Sequence, residues 1–197
     1  MNITINPNEL LAVALMAGKN DLRQYLNGVN VEVKDKNALI VASNGHNLAA
    51  LILGGCDCDD ISFIIPMDLI KNIKKSTKSD NKLVFLSFDP ETSIINLKQS
   101  SQTFMAQALS GNYPNWKQVI PAPFVPGFNF YQMHLMAVFE KAGKLLAGKP
   151  VFYQNGEDQV AGVVEIKLSD DRVYMGLIMP FKPGIEKAAE FTPAYTA

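Results

Sequence analysis

Val29, Val31 and Val33 alternate with Asn30, Glu32 and Lys34, which is the period of a strand with one buried face. Two apolar runs follow, residues 39–43 and 48–53, separated by the polar stretch Ser43-Asn44-Gly45-His46-Asn47. They read as two further strands joined by a turn. Ahead of them, Asn6-Pro7-Asn8-Glu9 has the form of a helix start: an amide that can cap, a proline suited to the first turn, and an acid at the third helical position. The helix is expected to run to about Gly18, with Leu10, Leu11, Ala14 and Leu15 on one face. With a short strand before the helix, the order is strand, helix, three strands.

That order recurs twice. Residues 61–65 form an apolar run, and Pro66 and Asp68 open a helix expected to extend to about Ser76. Strands are expected at 82–88, 93–98 and 102–109. After a join rich in proline and glycine (Pro121, Pro123, Pro126, Gly127), the pattern predicts a strand at 128–130, a helix at 131–147 and strands at 150–154, 160–168 and 172–179. Asn155-Gly156 between the first two of these favours a tight turn. The chain is thus an α+β protein of three β-α-β-β-β modules, repeating at ~55–60 residues. One module alone leaves an apolar sheet face uncovered, so modules should pair, helix beside helix. Three modules leave one over.

Composition adds limits. The 197 residues carry 18 Lys and Arg against 19 Asp and Glu, a formal net charge of −1, so any nucleic-acid contact requires basic residues gathered on one face. Lys71, Lys74, Lys75 and Lys78 fall at i, i+3, i+4 and i+7 of the expected second helix, on one side of it. Lys141 and Lys144 lie on the third, with Lys149 just beyond, and Lys19 and Arg23 follow the first. A lysine face without aromatic residues suits phosphate contact without base reading, as well as plain solvation. The acids Asp57, Asp59, Asp60, Glu157, Asp158, Asp170 and Asp171 fall in strands and loops. Cys56 and Cys58 lack the further ligands of a zinc site and are expected to be reduced thiols of a cytoplasmic protein. No apolar run is long enough for a membrane span, and the N-terminus lacks the pattern of a secretory signal. His46 and His134 are the only histidines. No nucleophile–base pair, phosphate loop or paired-carboxylate signature accompanies them, so no catalytic role, cofactor or metal is expected.

Four stretches in this order carry a family resemblance: DLRQYLNGVNVE (21–32), ASNGHNLA (42–49), GNYPNWKQVIP (111–121) and YMGLIMPFK (174–182). They resemble the bacterial DNA polymerase III beta subunit, the sliding clamp. The resemblance implies a DNA-clamp fold, with antiparallel sheets outside and helices on the DNA-facing side. Residues 1–121 look like the family's complete second domain, of two modules, and 127–182 like the second half of its third; 183–197 form a tail. The family's first domain and the first half of its third have no counterpart, so the family's usual ring contact is lacking. A family ring has about twelve modules, which four such chains would supply; alternatively, the lone third module pairs with its copy in a second chain. Such economy would fit a phage or mobile element.

In the family, partner peptides insert between the second and third domains. Carried over, the groove would be lined by Leu26, Ser43, Gly45, His46, Asn47, Leu48, Pro114, Gln118, Val119, Leu177, Met179, Pro180 and Phe181. The apolar members would take leucine or phenylalanine anchors, and methionine lets the site adapt. Asn47 and Gln118 stand where the family has basic residues, and Phe181 where it has methionine. Trp116 stands where it has tyrosine and is read equally as a packing residue; Tyr113-Pro114 is read equally as a rigid turn. The implied function is a non-enzymatic processivity factor that tracks duplex DNA independently of sequence, tethers DNA polymerase and other peptide-bearing partners, and assembles as a homo-oligomer. The alternative is a clamp-like module without a ring, an adaptor or decoy that sequesters clamp-binding partners.

Overall fold

Asn6 begins the first helix as its side chain accepts a hydrogen bond from the Asn8 amide at 2.9 Å, with Pro7 in the first turn. The computed structural model describes residues 1–77, 80, 82–122, 125, 127–157 and 159–181. The first repeat is β1 (Asn2–Ile5), α1 (Pro7–Ala14), β2 (Gly28–Lys34), β3 (Asn37–Ser43) and β4 (Asn47–Gly55). The second is β5 (Ile61–Pro66), α2 (Met67–Ile70), β6 (Val84–Asp89), β7 (Ile94–Gln99) and β8 (Gln102–Gln107). The third has α3 (Met133–Leu146), β9 (Val151–Tyr153), β10 (Gly162–Lys167) and β11 (Val173–Ile178).

All strand pairs are antiparallel and make two sheets. One has the order β1-β6-β7-β8, the other β5-β2-β3-β4-β11-β10-β9. The first two repeats exchange their opening strands: β1 joins β6, and β5 joins β2. The third repeat is joined to the first through its last strand, with Leu177 opposite Leu48 and Ile178 opposite Asn47. The leftover module expected from the odd count therefore extends an existing sheet. α1 packs on β2, β3 and β4 and lies beside both α2 and α3. Phe139 of α3 sits directly over β11, where a Cβ on Gly176 would meet its ring at 2.2 Å; any side chain there would push the helix off the sheet.

Buried side chains form one continuous core between the helices and the inner sheet faces, including Leu10, Val13, Ile40, Leu51, Ile65, Leu86, Ile95, Leu97, Phe139 and Ile166. A salt bridge crosses from α1 to the β10–β11 connection: Arg172 Nη2 donates to Glu9 Oε1 at 2.6 Å and Nη1 to Oε2 at 3.2 Å. Glu9 is buried there, so the pair ties the first and third repeats together.

Three expectations are corrected. The second helix is four residues long, so Lys71, Lys74 and Lys75 do not share a helical face; Lys78 lies outside the described residues. Backbone groups that would have continued the helix are taken by distant side chains. Gln99 Oε1 accepts from Lys74 N at 2.9 Å and Gln99 Nε2 donates to Lys74 O at 2.8 Å. Asn8 makes the same two-way pairing with Ser76. Residues 128–130 form no strand; their polar groups are used outside a ladder, with Asn129 Nδ2 donating to Asn155 O and Glu157 O and the Phe130 carbonyl accepting from Phe181 N at 2.9 Å. Cys56 and Cys58 are joined to each other as a disulfide. No helix among the described residues is long and apolar enough to cross a membrane.

Candidate functional site

The polar interruption seen in the sequence is a tight connection between β3 and β4. Asn44 Oδ1 accepts from the His46 and Asn47 amides at 2.9 and 2.8 Å, and Ser43 Oγ accepts from Gly45 N at 3.1 Å while donating to Asn47 O at 2.9 Å. Gly45 has φ +87°, a left-handed conformation that glycine adopts without steric cost. The turn presents the His46 side chain to solvent, while the His46 carbonyl accepts from Met179 N at 2.8 Å. One turn thus anchors the end of β11 and carries an exposed imidazole beside it.

Next to this turn is a cavity of about 220 Å³. Its apolar members are Leu26, Leu48, Val119, Leu177 and Met179, with Ser43, Gly45, His46, Asn47 and Pro114 also on its wall. Leu26 arrives on a 3-10 turn, Gln24–Leu26, and Val119 on another, Trp116–Val119. Beneath them lies a small separate cluster of Val41, Leu48, Ala50, Ala161 and Leu177, with Tyr113, Trp116 and Met179 packed on it. Gln118 and Pro180 are not on this wall. Gln118 borders a neighbouring depression that shares Val119 and Met179, and Phe181 meets Phe130 edge-on at 6.5 Å between ring centroids.

Four wall residues were not assigned to the groove from sequence: Arg23, Tyr113, Asn115 and Trp116. Arg23, expected among the DNA-facing residues, stands at the groove edge with its guanidinium close to Gly45. It is held there by Asp21 through bonds of 2.9 and 3.0 Å, and the guanidinium holds the Asp21 carboxyl down to about 2. The signal was present in the chain, since Arg23 precedes Leu26 by one turn of helix spacing. Trp116 packs and lines the groove at once, with Lys117 Nζ 5.5 Å from its ring centroid.

Asn47 departs from a simple rim role. It is 2% exposed, and its Nδ2 donates to Leu135 O in α3 at 3.0 Å. Among the described residues, Asn47 Oδ1, Tyr113 Oη and Trp116 Nε1 are buried with no hydrogen-bond partner. Tyr113 Oη lies toward the Ser43 backbone without a well-formed bond, and burial pushes its pKa up. Buried polar atoms are normally paired; Tyr131 Oη and Asn155 Nδ2, away from this wall, are also without a partner.

The remaining expected basic residues are exposed: Lys19, Lys71, Lys74, Lys75, Lys141, Lys144 and Lys149. Lys71 pairs with Asp68 at 2.7 Å and Lys144 approaches Glu140 at 3.9 Å. Lys19 and Lys71 border a common depression between α1 and α2. No group of three or more His, Cys, Asp or Glu among the described residues is arranged to hold a metal ion.

Residues 7–115 match the family model of the DNA polymerase III beta subunit, central domain. The chain belongs to this family. The beta sliding clamps of Synechocystis sp. and Borreliella burgdorferi are 23% and 26% identical over 152 and 110 residues, which is 70% and 55% of this chain. These alignments span only 39% and 28% of the two relatives. A solved DNA polymerase sliding clamp from Pseudomonas aeruginosa superposes on 93% of this chain with a TM-score of 0.69 at 15% identity, covering 66% of that structure. The chain therefore has the DNA polymerase III beta-subunit fold, and its alignments span less than half the length of these curated relatives. The matched residues contribute the β3–β4 turn and the Gln24–Leu26 turn, and the Trp116–Val119 turn and β11 complete the cavity from outside them.

Proposed function

We propose that this beta-subunit relative is a non-catalytic, clamp-like processivity factor. It would follow duplex DNA through its exposed lysines and tether DNA polymerase and other partners by short peptides bound in the groove of Leu26, Leu48, Val119, Leu177 and Met179. In this reading residues 1–121 act as a complete clamp domain and 127–182 as a half domain, with the groove at their junction; 183–197 is a tail outside the described residues. The observation that carries the proposal is the composition of the groove wall. An apolar floor accepts aliphatic and aromatic anchors, and the exposed His46 on its rim would hydrogen-bond a peptide backbone. Loose phosphate contacts suit a protein that must slide, since their strength does not depend on sequence.

Titration calorimetry with short peptides carrying leucine and phenylalanine tests the groove. Met179→Ala and Leu48→Asp are each expected to weaken binding about ten-fold or more, the effect of losing an anchor pocket. Unchanged affinity in both variants removes the assignment. A second reading, a peptide-binding module that forms no ring, is favoured by one observation: Lys71, Lys74 and Lys75 do not form the continuous helical face expected of a DNA-tracking surface.

A further inference from the structure

The groove does not stop at Met179. A second depression of about 370 Å³ adjoins it, and Val119 and Met179 belong to the walls of both. A peptide anchored in the first by leucine or phenylalanine has a continuous surface into the second. The two differ in charge. The permanently charged group on the first wall is Arg23, and Asp21 holds its guanidinium at 2.9 and 3.0 Å, so that end carries a neutralised pair. The charged side chain on the second wall is Glu157. It is exposed and has no ion pair among the described residues. Lys117, the nearest cation along the chain to the shared wall, is taken by Glu32 at 2.7 Å.

The backbone that carries this carboxylate is fixed. Glu157 N donates to Asn155 Oδ1 at 3.0 Å, and Asn155 is fully buried. The Glu157 carbonyl accepts from Asn129 Nδ2 at 3.0 Å and from Val160 N at 3.3 Å, and Gly156 N donates to Val125 O at 2.8 Å. The position of the carboxylate therefore follows from the fold, with its side chain left in solvent. Gln118 and Gln159 share the wall. Their amides can donate a hydrogen bond but supply no positive charge, so Glu157 is not answered from within the depression.

We propose that the second depression selects a lysine or arginine in the partner peptide, beside its apolar anchors, and that Glu157 is the residue that recognises it. The inference rests on the groove being a peptide site and adds which peptides it prefers. A peptide acid at this position would face Glu157 with no cation on the wall to separate them, whereas a lysine or arginine completes the pair. Because the opposite end of the groove is a neutralised pair, the charge along the groove is one-sided. Such an arrangement fixes the direction in which a bound peptide lies, since only one of the two orientations brings its cation to Glu157. The pair is solvent-exposed, so its effect is moderate and weakens with salt.

The test is calorimetric titration of the full chain with synthetic peptides that carry leucine and phenylalanine anchors and differ only in a Lys, Gln or Glu on one flank of the anchors, then on the other. On one flank only, the Lys peptide is expected to bind about three- to ten-fold tighter than its Glu twin at low salt, the sum of one exposed attraction and one exposed repulsion. Glu157→Gln is expected to abolish that ratio and Glu157→Lys to invert it, with circular dichroism showing that both variants are folded. Asp59→Asn removes the same net charge from a residue on neither wall and should leave the ratio in place. Met179→Ala should weaken all the peptides alike, because it acts on the anchors. Peptides that bind with no charge preference, or a Lys preference that survives Glu157→Gln or is lost in Asp59→Asn, overturn the role of Glu157 and leave the groove standing. Failure of every peptide to bind overturns both.

Discussion

Arg172 and Glu9 are far apart in sequence and meet in a two-pronged pair, with Arg172 Nη1 also donating to Ile52 O at 3.0 Å. Removing the guanidinium leaves a buried carboxylate without its partner. Arg172→Ala is expected to lower stability by about 2–3 kcal/mol, below the full cost of breaking a buried pair because the guanidinium is partly solvated. Urea denaturation measures it, and a loss within error of zero would mean that the pair is incidental to joining the first and third repeats. At the groove edge, Arg23→Ala is expected to return the Asp21 carboxyl from about 2 toward 3.8. The sign follows from the direct bonds: the guanidinium favours the charged carboxylate, so its loss makes protonation easier. The Asp21 side-chain carbon shift followed by NMR across acidic pH reads this directly, and an unmoved midpoint would assign the effect to the backbone bond from residue 23.

At the scale of elements, the second helix is the instructive case. Its lysine spacing is helical, yet the helix stops at Ile70. Gln99 and Asn8 each satisfy one donor and one acceptor of the segment that follows, which removes the need for helical hydrogen bonds there. Gln99→Ala is expected to cost about 1–2 kcal/mol, the penalty of leaving part-buried backbone groups unpaired. Hydrogen exchange at Lys74 should quicken in the same variant; unchanged protection would mean that the amide is held by something else. The strands behave differently. β2, β3 and β4 lie where alternation and the Gly45 turn predict them, since a half-buried strand writes its period into its own sequence. The missing strand at 128–130 shows the limit of that rule, because polar groups of this segment are used outside a ladder, by residues distant in sequence.

For the whole molecule, the expected DNA function rests on lysines spread over α3, the segment after α2 and the turn after α1. Lys74→Glu with Lys75→Glu is expected to reduce retention on nicked circular DNA several-fold at low salt and to leave peptide affinity in the groove unchanged. Equal retention by the variant would remove these lysines from the DNA surface. Retention on circles that is lost after linearisation would mark topological enclosure, whereas equal loss from both would favour the open peptide-binding module.

The sequence by itself determined the repeating order of elements, the β3–β4 turn around Gly45 and His46, and most of the apolar groove wall. Each of these is encoded by neighbours in the chain, through periodicity, turn chemistry or a short motif. Only the tertiary structure decided where α2 ends, that residues 128–130 form no strand, that Arg23 stands at the groove and that Asn47 is buried as a link to α3. Those outcomes depend on which distant groups arrive to satisfy a backbone amide, a charge or an apolar face, and that arrangement follows from strand pairing across the whole chain.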